Sequence, residues 1–133
     1  MMAYDPDNIF AKIIRGELPC KKVAESDHSL AFHDVNPKAP VHVLVVPKAG
    51  YVDYQDFMER ASDPEIVDFF RLVDQVAKDT GVSDQGYRVV SNKGARAGQI
   101  IFHFHVHVFG GRPFGGLIRE TDPLLRDAQS PAD

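Results

Sequence analysis

His103, His105 and His107 alternate with Phe104, Val106 and Val108 in one run that closes at Phe109. Side chains of a strand point to opposite faces with period two. A strand here puts the three histidines on one face and the apolar residues on the other. Neighbouring imidazoles would then stand roughly 6.5–7 Å apart, at about 3.3–3.4 Å rise per residue. A helix would scatter the same positions around its axis, and the β-branched and aromatic neighbours favour a strand.

Three readings fit such a face. Neutral imidazole is a common ligand for zinc, copper, iron or nickel. An unperturbed imidazole titrates near pH 6.5, which suits nucleophilic and acid–base work. A half-exposed strand with an incidental run of histidines is the plain reading, and strict alternation of three places it last. Catalytic zinc takes three protein ligands and water, structural zinc takes four. No Cys, Asp or Glu flanks the run, and only His42 offers a fourth ligand, so metal is not favoured. A neutral imidazole can instead attack phosphorus and form a covalent phosphoramidate-type intermediate. That requires a bare attacking nitrogen, with the other ring N–H held by a carbonyl or carboxylate. A second histidine and nearby N–H groups can serve the phosphate and the leaving group. These considerations do not choose which histidine attacks.

The histidine run needs a scaffold, and the chain supplies one. Asp7 or Asn8 caps a short helix from Ile9 to Ile14 or Arg15, ending at Gly16. Lys22–Glu25 and Ser29–Asp34 read as a hairpin around Ser26-Asp27-His28. Val41–Val46 is a β-branched run closed by Pro47, a central strand that carries His42. A histidine inside such a strand is ordinarily a packed residue satisfied by a carbonyl; here it is also a candidate partner for the triad. Asp53 to Arg60 has the makings of a short helix. Ser62-Asp63-Pro64-Glu65 is a strong helix start, and Ile66, Phe69, Phe70, Val73, Val76 and Ala77 recur at three and four until Gly81. Gly86–Ser91 is a further strand. Asn92–Gln99 is a loop of Gly and small residues that could aim N–H groups at an anion. Gly110-Gly111 and the residues to Gly116 cannot continue regular structure. The expected class is α+β, a mainly antiparallel five-stranded sheet with one long and one short helix.

The chain has 133 residues, 44% hydrophobic and 26% charged, which suits one domain with its own core. Residues of about 8–112 form that core and 117–133 a C-terminal tail. The formal net charge of -4 supplies no basic field for nucleic acid. The lone Cys20 fits a reducing compartment and excludes an intrachain disulfide. The first residues lack a signal pattern and no run has the length of a membrane span, so the expectation is a soluble cytoplasmic protein.

Taken together, these motifs resemble the histidine triad (HIT) family. His103–Phe109 matches its central motif. Asn8–Pro19, Ala31–Val35, Ala39–Lys48 and Asn92-Lys93-Gly94 follow in register and are similar to the purine nucleoside phosphoramidase branch, the histidine triad nucleotide-binding proteins. The resemblance covers about residues 8–112 and implies a HIT-like fold. It implies that His105 attacks the α-phosphorus of a nucleoside 5′-phosphoramidate or acyl nucleotide, and that water then releases the nucleoside monophosphate. By the same resemblance His107 serves the phosphate and leaving group, and His103 and His42 pair behind them. Asp34 would take the ribose hydroxyls; otherwise it is a turn former before Asn36-Pro37. Phe10, Ile13, Phe32, Val35 and Leu44 would line the base pocket, or else be ordinary core. Asn92 and the Gly98-Gln99 backbone would hold the phosphate. No metal or cofactor enters the scheme. The implied partners are a purine nucleotide and a second copy of the chain, joined through the long helix and the strand near 86–91; neither nucleic acid nor a membrane is expected.

One departure stands out. Ile100 occupies a position where the family often carries Ser or Thr whose hydroxyl reaches the scissile region. Loss of that bond, worth about 1.5–3 kcal/mol, would reduce turnover by roughly one to two decades. The chain also has no Trp, which some relatives carry in the tail. The alternatives are a dinucleoside polyphosphate hydrolase of the same superfamily, a non-catalytic purine nucleotide-binding module, and a metalloprotein.

Overall fold

The protein was analysed as a computed structural model, and residues 2–118 are described. The elements run α1 (Ile9–Ile14), β1 (Lys22–Glu25), β2 (Ser29–His33), β3 (Val41–Pro47), α2 (Tyr54–Arg60), α3 (Asp63–Asp79), β4 (Tyr87–Val90) and β5 (Val106–Gly110). A short 3-10 turn, Ala95–Ala97, interrupts the loop before β5. The sheet is antiparallel throughout, in the order β1-β2-β3-β5-β4. The α+β expectation holds, with a correction: among the described residues there are two short helices, of six and seven residues, beside the long one of 17. The predicted tail begins inside the described region, but 119–133 lie outside it.

Local chemistry explains the helices. Asn8 accepts the Ala11 N–H and starts α1. Ser62 and Glu65 form a reciprocal capping box at α3, with Pro64 in its first turn. Gly81, at φ +77, turns the chain out after the α3 C-cap.

The sheet has two unlike faces. Ala31, Val43, Val45, Phe104, Val106 and Val108 pack with Phe57 of α2 and Phe69, Leu72, Val73 and Val76 of α3. On the other face Leu30, Phe32, Leu44 and Val46 meet Phe10 of α1, with Ile13, Ile14 and Ile101 at the margin. Pairing of Leu44 with His107, and of His42 with Phe109, sets the histidines on this second face.

The histidine run departs from the expected strand. Only His107 lies within β5; His103 and His105 precede its first residue, Val106. The cause is across the sheet. The ladder with β3 ends at Val45↔Val106, and continuing it would bring Phe104 opposite Pro47. Proline has no N–H to contribute to a ladder. The Phe104 N–H donates instead to the Tyr51 carbonyl at 2.7 Å. Alternation nonetheless persists, since Phe104 is buried with the α3 core while His103 and His105 face away from it. Gly110, expected to break regular structure, is the last residue of β5.

Candidate active site

Each histidine is held by a specific bond, and together the bonds fix where the protons sit. His103 has no exposed surface. Its Nε2 lies 2.8 Å from the Pro47 carbonyl, which can only accept, so Nε2 carries the hydrogen. Its bare Nδ1 then accepts from the Tyr4 hydroxyl at 2.7 Å. The His105 Nδ1 is 2.7 Å from the His103 carbonyl, so the proton of His105 is on Nδ1 and its lone pair on Nε2. No buried side-chain nitrogen or oxygen lacks a partner among the described residues. The His105 Nε2, which bonds to none of them, therefore opens to solvent.

The second pair is locked from the backbone. The Lys38 N–H donates to His42 Nδ1 at 3.1 Å. A neutral His42 must then carry its hydrogen on Nε2, which donates to His107 Nδ1 at 2.9 Å. His107 is left with an Nε2–H donor. The Asp34 Oδ2 lies 3.4 Å from His42 Nε2, close enough to act on that ring by charge. The pairing of His42 with His103 implied by the family resemblance is thus corrected: His42 partners His107, and His103 partners Tyr4. Position explains this, since His42 lies across from Phe109, next to His107, while His103 lies beyond the end of the ladder.

Burial keeps all four rings neutral near pH 7. It holds His103 and His107 down at about 4, against the ordinary 6.5 of an imidazole. It lowers His105 and His42 as well, and on His42 the nearby Asp34 opposes the shift. The His105 and His107 rings are 5.0 Å apart between centroids, closer than an ideal strand would set them.

The remaining candidates fall into three groups. Phe10, Ile13, Phe32 and Leu44 do gather under the histidines, with the Phe10 ring edge-on to His105 at 5.0 Å. Val35 stands apart from them, 88% exposed. It lines a cleft of about 730 Å³ together with Asp34, His42, His33, Cys20 and Lys21. Asp34 takes the turn-forming part in geometry, with Oδ1 accepting the Asn36 N–H, while Oδ2 faces His42. The loop group differs from expectation. The Gly98 and Gln99 N–H groups, expected to hold a phosphate, donate to Ala95 and Gly94 carbonyls and close the 3-10 turn. The Gln99 side chain is buried and ties the loop to the Gly94 N–H and the Val52 carbonyl. Asn92 is half-buried one residue past Ser91, whose hydroxyl donates to the His105 carbonyl at 3.0 Å.

Asp34, His42 and His107 are also the one cluster of potential metal ligands found among the described residues, with donor atoms within 4.8 Å of one another. The bonding pattern counts against a cation there. A metal on His42 Nε2 would displace its hydrogen while Nδ1 still accepts from Lys38, leaving the ring an anion.

Sequence reasoning missed Tyr4, the Pro47 carbonyl and the Lys38 N–H. None leaves a local signal, since Tyr4 is 99 residues from its partner and the other two are backbone groups.

An antiparallel five-stranded sheet with histidines at 103, 105 and 107 on its open face is the arrangement of the histidine triad proteins, and the chain belongs to the HIT family: the HIT domain matches residues 15–114. An uncharacterized 13.2 kDa HIT-like protein of Azospirillum brasilense is 55% identical over 115 residues, covering 86% of this chain and 94% of its own. A HIT family hydrolase from Clostridium thermocellum superposes with a TM-score of 0.75 at 36% identity, over 84% of this chain and 96% of that one. A histidine triad nucleotide-binding protein from Candida albicans gives 0.71 at 28% identity, over 92% and 90%. No helix among the described residues is long and apolar enough to cross a membrane.

Proposed function

We propose that this protein is a nucleotide-binding hydrolase that cleaves nucleoside 5′-phosphoramidates or acyl nucleotides through a nucleotidyl-histidine intermediate on His105. One observation carries the reading: the proton of His105 is held on Nδ1 by a carbonyl, which leaves a neutral Nε2 lone pair that no described residue occupies. The likeness to a HIT family hydrolase and to a histidine triad nucleotide-binding protein supports it.

In this scheme His105 Nε2 bonds to the α-phosphorus and the P–N bond breaks. The amine leaves with the bonding pair and takes a proton from water. The hydroxide so formed attacks phosphorus, breaks the bond to His105 and yields the nucleoside monophosphate. The His103 carbonyl stabilises the imidazolium while it exists, through the Nδ1–H. His107 Nε2–H donates to the phosphoryl oxygen beside the leaving group. His42, Lys38 and Asp34 hold that donor in place. Asp34 accepts from the ribose, the cleft it lines takes the nucleoside, and Asn92 faces the phosphate. The nucleotide is a purine one, and neither metal nor cofactor takes part.

The test is mass spectrometry of enzyme quenched during turnover of adenosine 5′-phosphoramidate. One nucleotide attached at His105, absent from His105→Ala, is the expected result. Unchanged hydrolysis by His105→Ala would overturn the reading.

The same reading includes a homodimer. The edge strand β4 leaves Tyr87 and Val89 exposed, and α3 exposes Val67 and Phe70. Light scattering at twice the chain mass is expected, and Val89→Lys should shift it toward the monomer.

A further inference from the structure

Tyr4 reaches the histidines from outside the sheet, on a segment shaped by its own bonds. The Asp5 carboxylate accepts the Asp7 N–H at 2.9 Å. The Asp5 carbonyl accepts from the Asn8 side chain at 2.8 Å, and Arg15 donates to the Pro6 carbonyl at 2.6 Å. This turn delivers the Tyr4 ring onto Gly50, where bare backbone makes room for it: a Cβ on Gly50 would fall 2.5 Å from Tyr4 Cε2. The ring then stands edge-on to His103, 5.6 Å between centroids, with its hydroxyl 2.7 Å from Nδ1.

Residues 103–105 lie beyond the β3–β5 ladder, so a few individual bonds set their place. Phe104 N–H reaches Tyr51, Ser91 reaches the His105 carbonyl, and His103 Nε2 reaches Pro47. The Tyr4 hydroxyl is the donor that meets the other side of the His103 ring. The carbonyl of that same His103 orients His105.

We infer that Tyr4 is a positioning residue for His105: by donating to His103 Nδ1 from its seat on Gly50, it pins the His103 ring and with it the carbonyl that holds the His105 Nδ1–H. The inference rests on His105 being the nucleophile. Without the hydroxyl, His103 Nδ1 becomes a buried acceptor with nothing to accept from, a costly state. The ring then gains reason to turn, and its carbonyl loses a fixed direction.

Tyr4→Phe, Gly50→Ala and the double variant test this. Gly50→Ala displaces the ring of residue 4 without altering a histidine. Two measurements apply: steady-state hydrolysis of adenosine 5′-phosphoramidate, and imidazole 1H–15N spectra of the free protein. Tyr4→Phe should lower kcat about tenfold and leave KM within about twofold, since the loss concerns the nucleophile and not substrate binding. Gly50→Ala should do the same, and the double variant should lose no more than the worse single one, because both act through one contact. The His103 and His105 ring resonances should move in all three. An unaltered kcat in Tyr4→Phe, or losses that multiply in the double variant, would overturn the assignment. If the wild type does not hydrolyse the substrate, the proposed function fails and the spectra decide alone. Unmoved His105 resonances in Tyr4→Phe then refute the positioning role, and moved ones sustain it.

Discussion

The two faces of the sheet are built on different principles. The face under α3 is mostly apolar, although buried Ser29 donates to Asp68 of α3 at 2.9 Å, and Phe57, Phe69 and Phe104 meet there at 4.7–5.2 Å between ring centroids. Such contacts are non-directional and depend on filled volume. The opposite face buries His103, His42 and His105, each fixed by a bond with one allowed direction. One face therefore responds to lost volume, the other to a lost donor or acceptor. Stability and chemistry are divided across about one sheet thickness.

The sharpest way to break the division is a matched pair. Phe69→Ala should cost about 3–5 kcal/mol in denaturant unfolding while the folded fraction keeps its turnover. His105→Ala should cost more than about a thousandfold in turnover while the unfolding midpoint hardly moves. A Phe69→Ala protein that stays folded but loses specific activity would show that the faces are coupled. His42→Phe comes next: it removes the hydrogen that His107 Nδ1 accepts, and kcat of the folded protein should fall about ten- to a hundredfold.

Acid should expose the second face. Between pH 6.5 and about 4 the unfolded chain protonates histidines that the native state keeps neutral, so the unfolded state binds more protons. Unfolding free energy should therefore fall as pH drops through that window, and stay flat above it as far as these histidines are concerned. Urea titrations at stepped pH measure this, and a His103→Asn variant that still folds should flatten the slope. The smallest effect belongs to Ile100, which is 86% exposed. Ile100→Ser should leave stability within about 0.5 kcal/mol. It should raise phosphoramidate turnover by about tenfold, the lower end of the one to two decades such a bond is worth, because the position is exposed to water.

The apolar face was readable from the chain because its information is local. The three-and-four spacing through Phe69, Val73 and Val76, the Ser62 cap and the β-branched run at Val41–Val46 each predict their element, and each formed. The histidines of the candidate site were readable for the same reason, since the alternation at 103–107 survives the end of the ladder. What escaped reading depends on register across strands. Pro47 stops pairing opposite Phe104, a fact that exists only once β3 and β5 are aligned. The Lys38 N–H that sets the His42 tautomer, and the Tyr4 hydroxyl on His103, are contacts closed by the fold. The Gly98 and Gln99 N–H groups looked free in a glycine-rich loop, and the 3-10 turn consumes them.

The sheet order carries a consequence for synthesis. Among the described residues β5 is the last strand made, yet it sits between β3 and β4, so a ribosome that has released residues as far as Val90 has produced two sheet fragments with nothing to join them. Until about twenty more residues emerge, the nascent chain displays the Val41–Pro47 edge, six of whose seven residues end up buried. Ribosome-associated chaperones should engage that interval, and truncations ending before Val106 should aggregate instead of yielding a smaller folded unit.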